Sequence, residues 1–366
     1  MAATHFIGLM SGTSLDGVDA ALLGSEEGHH ELLAGVTRPF PPQLAKLLSS
    51  LCRQPEIAPD VLAEAETAFC QQLAEATEAL LQVAGLDKDA VTAVGSHGQT
   101  IRHLPDKGWS WQIGSPARLA CLTGLPVVAD FRSADLARGG QGAPLAPAFH
   151  QAFFSSPEET RLVLNLGGIA NVSLLRPDQA PIGWDTGPAN TLLDAWHRKH
   201  HPGAGWDPDG QWAASGETRA ELLQRLLDDD YFRQAPPKST GPEHFNLNWL
   251  AKHGGRSVSA IPAADVQATL LELTVQPIAA IARAHHVDRV IACGGGTHNR
   301  TLMTRLAHHL ENIPLESSKT QGLDPDHVES AGFAWLAQQR WNGLSVHLSA
   351  VTGADGDGTL GGLWLP

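Results

Sequence analysis

Runs of apolar residues of β type alternate along this chain with stretches whose apolar positions recur at helical spacing. The first apolar run, Phe6 to Met10, meets a polar turn, Ser11-Gly12-Thr13-Ser14-Leu15-Asp16-Gly17, and returns as Val18 to Leu23. The same pattern recurs as Arg161 to Leu166, the turn Gly167 to Asn171, and Val172 to Leu175. His30 to Val36 predicts a third strand after the first hairpin. Helices are predicted over Pro42 to Leu51 and Asp60 to Val83, with Gly85 as the stop of the second. A buried strand, Ala90 to Val94, runs into Gly95-Ser96-His97-Gly98-Gln99-Thr100. A short helix, Ser115 to Thr123, precedes the strand Pro126 to Ala129, and Asp130 to Pro144 reads as a Gly-rich polar loop.

The second half repeats this logic. Gly183 to Pro188 reads as a turn before a helix from Ala189 to His200. Further helices are predicted over Glu217 to Asp229 and over Val266 to His285, the latter kinked at Pro277. The strand Arg289 to Cys293 leads through Gly294-Gly295-Gly296-Thr297-His298-Asn299 into a helix from Arg300 to Leu310. A strand, Ile313 to Leu315, and a helix, Pro325 to Trp341, follow. Each half opens on an antiparallel hairpin and continues with βα units, so the expected class is a duplicated α/β fold. No G-x-G-x-x-G follows the first strand, which argues against a dinucleotide fold. At 366 residues two domains are expected. Lobe I is placed at 1–134, with 348–366 returning to it, and lobe II at 135–347 with the second hairpin, Asp185 and Gly294 to Gly296.

Composition narrows the function. With 42% hydrophobic and 17% charged residues the chain is globular. A net charge of −14 with no basic block argues against a nucleic-acid partner. It does not exclude ATP, because clustered amides and Mg²⁺ invert the local field. The start, Met1-Ala2-Ala3-Thr4-His5, has no signal-type pattern, and no apolar run is long enough to span a bilayer. Cys52, Cys70, Cys121 and Cys293 lack CxxC spacing and read as buried free thiols of a reducing, cytoplasmic setting. The pairs His200-His201, His285-His286 and His308-His309 have no metal-motif partners and read as solvated helix ends.

Candidate chemistry sits at the glycine turns. A Gly/Ser/Thr turn between strands turns several N–H groups toward one anion, and two such turns facing across a cleft would grip a nucleotide's phosphates. Asp16, inside the first turn, is either a Mg²⁺ contact or a turn aspartate capping its own backbone. Asp19 is expected to face out of its strand. Gly294-Gly295-Gly296, between strand and helix, offers a shelf for adenosine or a phosphate, or is a tight turn. Asp185 reads as the carboxylate that orients or deprotonates an acceptor, or as an N-cap. Glu329 is a possible second carboxylate or an ordinary helical glutamate. Arg132 and Arg138 suit an acidic substrate group, or surface salt bridges.

Several blocks together resemble one family. They are Ile7 to Asp19, Ser96-His97-Gly98-Gln99-Thr100, Gly139-Gly140-Gln141-Gly142-Ala143-Pro144-Leu145, Asn165-Leu166-Gly167-Gly168-Ile169-Ala170-Asn171, Asp185-Thr186-Gly187-Pro188 and Cys293-Gly294-Gly295-Gly296. Together they are similar to the anhydro-N-acetylmuramic acid kinases, over nearly the whole chain. The resemblance implies the duplicated ribonuclease H-like fold of actin, hexokinase and the heat-shock chaperones, two lobes with ATP in the cleft between them. It implies a reaction of ATP and water with 1,6-anhydro-N-acetylmuramate that yields N-acetylmuramate 6-phosphate in cell-wall recycling. It implies ATP contacts at Gly12, Thr13, Ser14, Leu15, Asp16, Gly17, Val18 and Asp19, and at Asn165, Gly167, Gly168 and Gly294 to Gly296. Substrate contacts are implied at Ser14, Asp16, His97, Gln99 and Arg132, with Mg²⁺ at Asp16. Asp185 would activate water, Glu329 would help hold it, and a homodimer is implied. The chain departs from the family pattern at Ser133-Ala134, Ala189 and Thr297-His298.

Overall fold

The computed structural model describes residues 4–12, 14–26 and 28–366, with Arg256 and Ser257 described by their backbone alone. Thr13, one of the expected ATP contacts, lies outside the described residues. The strands are β1 (Thr4–Met10), β2 (Gly17–Glu26), β3 (His29–Pro39), β4 (Val91–Ser96), β5 (Gln99–Leu104), β6 (Trp109–Ile113) and β7 (Val127–Ala129). They continue as β8 (Arg161–Leu166), β9 (Ile169–Leu175), β10 (Ile182–Pro188), β11 (Arg289–Cys293), β12 (Leu315–Ser317) and β13 (Gly362–Trp364).

The chain divides into two units, one formed by Met1–Phe153 with Gly322–Pro366, the other by Phe154–Gln321. In the first, the sheet order is β13-β7-β4-β1-β2-β3, with β1, β2 and β3 antiparallel neighbours and β4 and β7 parallel additions. In the second it is β10-β9-β8-β11-β12, again an antiparallel meander extended by parallel strands. Numbered within each sheet, both place the third strand beside the second, then the first, the fourth and the fifth, and the first sheet adds β13 beyond its fifth strand, β7. That shared order is the ribonuclease H-like duplication. It arises because Phe6, Ile7 and Leu9 of β1, and Leu162, Val163 and Leu164 of β8, are buried on both faces, as central strands between layers must be.

The helix Val328–Trp341 lies directly on the first sheet. A Cβ at Gly8 would strike the backbone of Ser330 and Ala334, and one at Gly95 would strike Phe333, so only glycine permits this approach. Glu329 is therefore carried into the first unit. The expected boundaries at 134/135 and 347/348 differ from these divisions, because the helices Ala146–Phe154 and Val328–Trp341 go with the first unit.

Further local expectations meet a different outcome or gain detail. Gly183 to Pro188, expected as a turn, belongs to β10, paired with β9 and shifted in register between Asp185 and Gly187. β5 and β6 form an additional hairpin, and the loop after β7 contains the helix Ser133–Ala137. Cys121, expected to be buried, is exposed. The helix Ala263–Ala284 includes Pro277 without interruption. Among the described residues no helix is long and apolar enough to cross a membrane.

Candidate active site

The first glycine turn is braced from below. Ser11 Oγ lies 2.7 Å from Gln99 Oε1 and 3.1 Å from Gly17 O, and the His97 amide donates to Leu9 O at 3.0 Å. These bonds bring Gln99 and His97 beside the turn that joins β1 and β2. Leu15 adopts φ 57°, and the Ser14 hydroxyl donates to Asp16 Oδ1 at 2.8 Å. Asp19 pairs with Met10 across the sheet, and its Oδ1 accepts from Thr37 Oγ1 at 2.5 Å. Burial raises the Asp19 pKa, with the Thr37 hydrogen bond opposing. Gly12, Gly17 and Val18 complete the turn and the first residues of β2.

Arg132 joins this group through His97. Its Nη2 donates to His97 Nε2 at 2.8 Å and its Nη1 to Gly142 O at 2.6 Å. A guanidinium only donates, so His97 Nε2 accepts and its Nδ1 carries the proton toward Gly98 O, 2.9 Å away. Burial holds His97 near a pKa of about 3, with Arg132 adding to the effect, so this ring stays neutral. Burial also lowers Arg132 to about 10, and the nearby Glu329 and Asp135 oppose that shift. Among the described residues Arg132 Nε finds no hydrogen-bond partner although it is buried. An unpaired buried donor of that kind suits an oxygen of a bound ligand. Glu329, in the first turn of its helix, is pushed up to about 6 by burial, with Asp19 adding and Arg132 opposing.

Sequence reasoning missed what fixes Arg132. Asp135 is buried at 3% exposure, and its carboxylate accepts from the Gly142 amide at 2.7 Å and from Thr352 Oγ1 at 2.6 Å. The Gly140 amide donates to Asp135 O, and the Gln141 amide to Thr352 O, both at 3.0 Å. The Gly139–Gly142 stretch is thus clamped between the helix Ser133–Ala137 and the C-terminal segment, which sets the carbonyl that Arg132 binds. Arg138 donates to Ala134 O at 3.2 Å, within its own helix turn.

In the second unit, one row of cross-strand partners gathers the expected residues. Cys293 lies beside Asn165, Asn165 beside Asn171, and Asn171 beside Asp185. Gly167 and Gly168 form the turn after Asn165, and the amides of Asn190 and Thr191 donate back to their carbonyls. Gly294 to Gly296 follows the same edge. A Cβ on Gly296 would sit 2.6 Å from Leu166 Cβ, so the shelf rests against the turn as only glycine allows. With two strand steps of roughly 4.8 Å between Asn165 and Asp185, the row is about as long as a triphosphate.

Asp185 is held from three sides. Its amide donates to Lys238 O at 3.1 Å, its carbonyl accepts from Tyr231 Oη at 2.8 Å, and its Oδ2 accepts from the Thr240 amide at 2.9 Å. The Thr240 amide holds the carboxylate by Oδ2, and among the described residues Oδ1 has no hydrogen-bond partner. Burial raises the Asp185 pKa to about 6, the Thr240 amide opposes, and Glu243 adds to the rise. A carboxylate tuned toward neutrality on a fixed strand is suited to accept a proton. The segment 231–240 that builds this mount carried no recognisable signal in the sequence.

Among the described residues no group of three or more His, Cys, Asp or Glu side chains is placed to hold a metal ion. Asp16 is exposed and offers one carboxylate among oxygen neighbours, a donor set that fits Mg²⁺ held mainly by phosphates and water.

A family model described as anhydro-N-acetylmuramic acid kinase matches residues 4–366. A protein of that name from Chromohalobacter salexigens is 51% identical, over 98% of this chain and 99% of its own. Another, from Xanthomonas oryzae pv. oryzae, is 47% identical over 98% of this chain and 97% of its own. Among solved structures, component A of (R)-2-hydroxyglutaryl-CoA dehydratase from Acidaminococcus fermentans is similar at a TM-score of 0.49 and 10% identity, over 90% of this chain and 96% of that one.

Proposed function

The chain belongs to the anhydro-N-acetylmuramic acid kinase family, and on that premise we propose a hydrolytic phosphotransfer for its residues. The enzyme is a kinase of cell-wall recycling. Its substrates are 1,6-anhydro-N-acetylmuramate, ATP and water, and its product is N-acetylmuramate 6-phosphate.

Asp185 Oδ1 takes a proton from water, and the water oxygen bonds to the anomeric carbon. The C1–O6 bond breaks with its electron pair left on O6. O6 then bonds to the γ-phosphorus, and the bond to ADP breaks in turn. The water proton leaves through Asp185, so atoms and charge balance. Glu329 helps hold the water, while Arg132, with its unpaired Nε, and the His97 and Gln99 pair orient the sugar. The turn Gly12 to Asp19, and Asn165, Gly167, Gly168 and Gly294 to Gly296, receive the nucleotide. Mg²⁺ at Asp16 would neutralise charge on the phosphate oxygens.

The observation that carries this reading is the mount of Asp185, a strand carboxylate whose pKa burial raises to about 6, with Oδ2 held by the Thr240 amide and no partner on Oδ1 among the described residues. The homodimer implied by the family belongs to the same reading, and sedimentation velocity reads it directly. The reading is tested by ADP release with anhydromuramate, N-acetylmuramate and glucose as acceptors. Turnover is expected with the anhydro sugar alone. Equal turnover with N-acetylmuramate or glucose would mark an ordinary sugar 6-kinase and overturn it.

A further inference from the structure

The strand that carries Asp185 is also a wall of a cavity. This cavity, of about 670 Å³, lies between β10, the 227–238 stretch and the helix Ala263–Ala284. Its size is that of a site for a small organic molecule. Trp184, Phe232, Pro277 and Ile281 give it an apolar lining.

Its charge runs against that of the molecule. The chain has a net charge of −14, yet the described lining residues include Lys238, Arg283 and His285 and no Asp or Glu. Lys238 Nζ donates to Tyr231 O at 2.9 Å, which leaves two of its three donors. Arg283 Nη1 donates to His309 O at 2.8 Å, and among the described residues the rest of its fork has no partner. Arg176 Nη2 meets His285 Nδ1 at 3.1 Å, so the neutral ring carries its proton on Nε2. Glu272, which meets the lining residue His309 at 2.9 Å, is also engaged by Arg305 at 2.8 Å.

The cavity also touches the mount of Asp185. Trp184 and Thr186 flank Asp185 on β10, and a Cβ on Gly187 would lie 2.8 Å from the Phe232 ring. Lys238 supplies both a cation to the cavity and the carbonyl that binds the Asp185 amide.

We propose that this cavity is a regulatory site for a small organic anion, an apolar body with one anionic group. Its occupation is transmitted to Asp185 through the 231–240 segment. The transmission rests on Asp185 acting as the base; the binding does not.

The probe is 8-anilinonaphthalene-1-sulfonate, titrated by fluorescence against the full-length chain. One molecule binds per chain, and neutral N-phenyl-1-naphthylamine binds about tenfold or more weakly, since the charge-assisted bonds are lost. Arg283→Glu weakens the probe by at least about tenfold, and Ala280→Trp, which fills the cavity, removes it, while both keep native activity without probe. Saturating probe changes kcat by about twofold or more in the native chain and leaves Arg283→Glu unaffected at the same concentration. Equal affinity in Arg283→Glu, whose side chain is exposed and safe for folding, would overturn the site. So would displacement of the probe by ATP. An unchanged kcat at saturation would overturn the regulatory role.

Discussion

Removing the Asp135 carboxylate should unfasten the loop that holds Arg132. Asp135→Ala leaves the Gly142 amide and the Thr352 hydroxyl, bonded at 2.7 and 2.6 Å, without their shared acceptor in a buried place. Each buried group deprived of its partner costs about 1–3 kcal/mol. Thr352 recovers part of this through its alternative acceptor, Leu348 O at 3.1 Å. The net destabilisation is therefore about 3 kcal/mol, well above the ordinary surface range of about 0.5 kcal/mol. Thr352→Val removes one bond only and should cost about 1–2 kcal/mol. Because both substitutions act on one bond, the double variant should lose less than the sum. Urea unfolding followed by circular dichroism measures all three. The same loosening frees Gly142 O, so KM for the sugar should rise more than kcat falls. Two single variants within about 0.5 kcal/mol of the native chain, with native KM, would refute the clamp.

Asp185→Asn should abolish turnover and leave nucleotide affinity nearly unchanged, as read by calorimetric titration. In the native enzyme kcat/KM should fall as pH drops through about 6, where burial places the Asp185 pKa and the base becomes protonated. Stability moves in the opposite sense. The folded chain holds the Asp185 proton more tightly than the unfolded one, so this group's contribution is present below about 3.8 and is lost as pH rises through about 6. Asp185→Asn should accordingly gain in Tm relative to the native chain between pH about 4 and about 7, and a flat difference would deny that burial raises this group. Gly296→Ala brings a methyl against Leu166 at 2.6 Å, and should weaken nucleotide binding by about tenfold with a stability loss of about 1–3 kcal/mol.

What could be read from sequence was what is encoded locally. The glycine turns, the strands β1, β2, β8 and β9, and the helices with clear stops announce themselves within a dozen residues, because turn chemistry and apolar period act at short range. β10 did not. Its Gly183, Gly187 and Pro188 are breakers by propensity, and only pairing with β9 across a register shift makes them a strand. The hairpin β5–β6 was hidden for a related reason, since Arg102, His103 and Gln112 interrupt its apolar signal. Glu329 illustrates the limit for sites. Its own helix gives no hint of function, and its environment comes from Asp19 and Arg132, hundreds of residues earlier. The bond between Thr352 and Asp135, 217 residues apart, could not be seen in any local window. The Asp185 carboxylate was visible as a residue, whereas its mount by Tyr231, Lys238 and Thr240 arises from tertiary packing alone.

The decisive test is turnover of anhydromuramate in ¹⁸O-enriched water, with the sugar phosphate analysed by mass spectrometry. The account predicts one heavy oxygen at C1 of the product and none in the transferred phosphoryl group. Product without label at C1, formed at the normal rate, would show that no water enters at the anomeric carbon and would contradict the assignment of Asp185 as its activator.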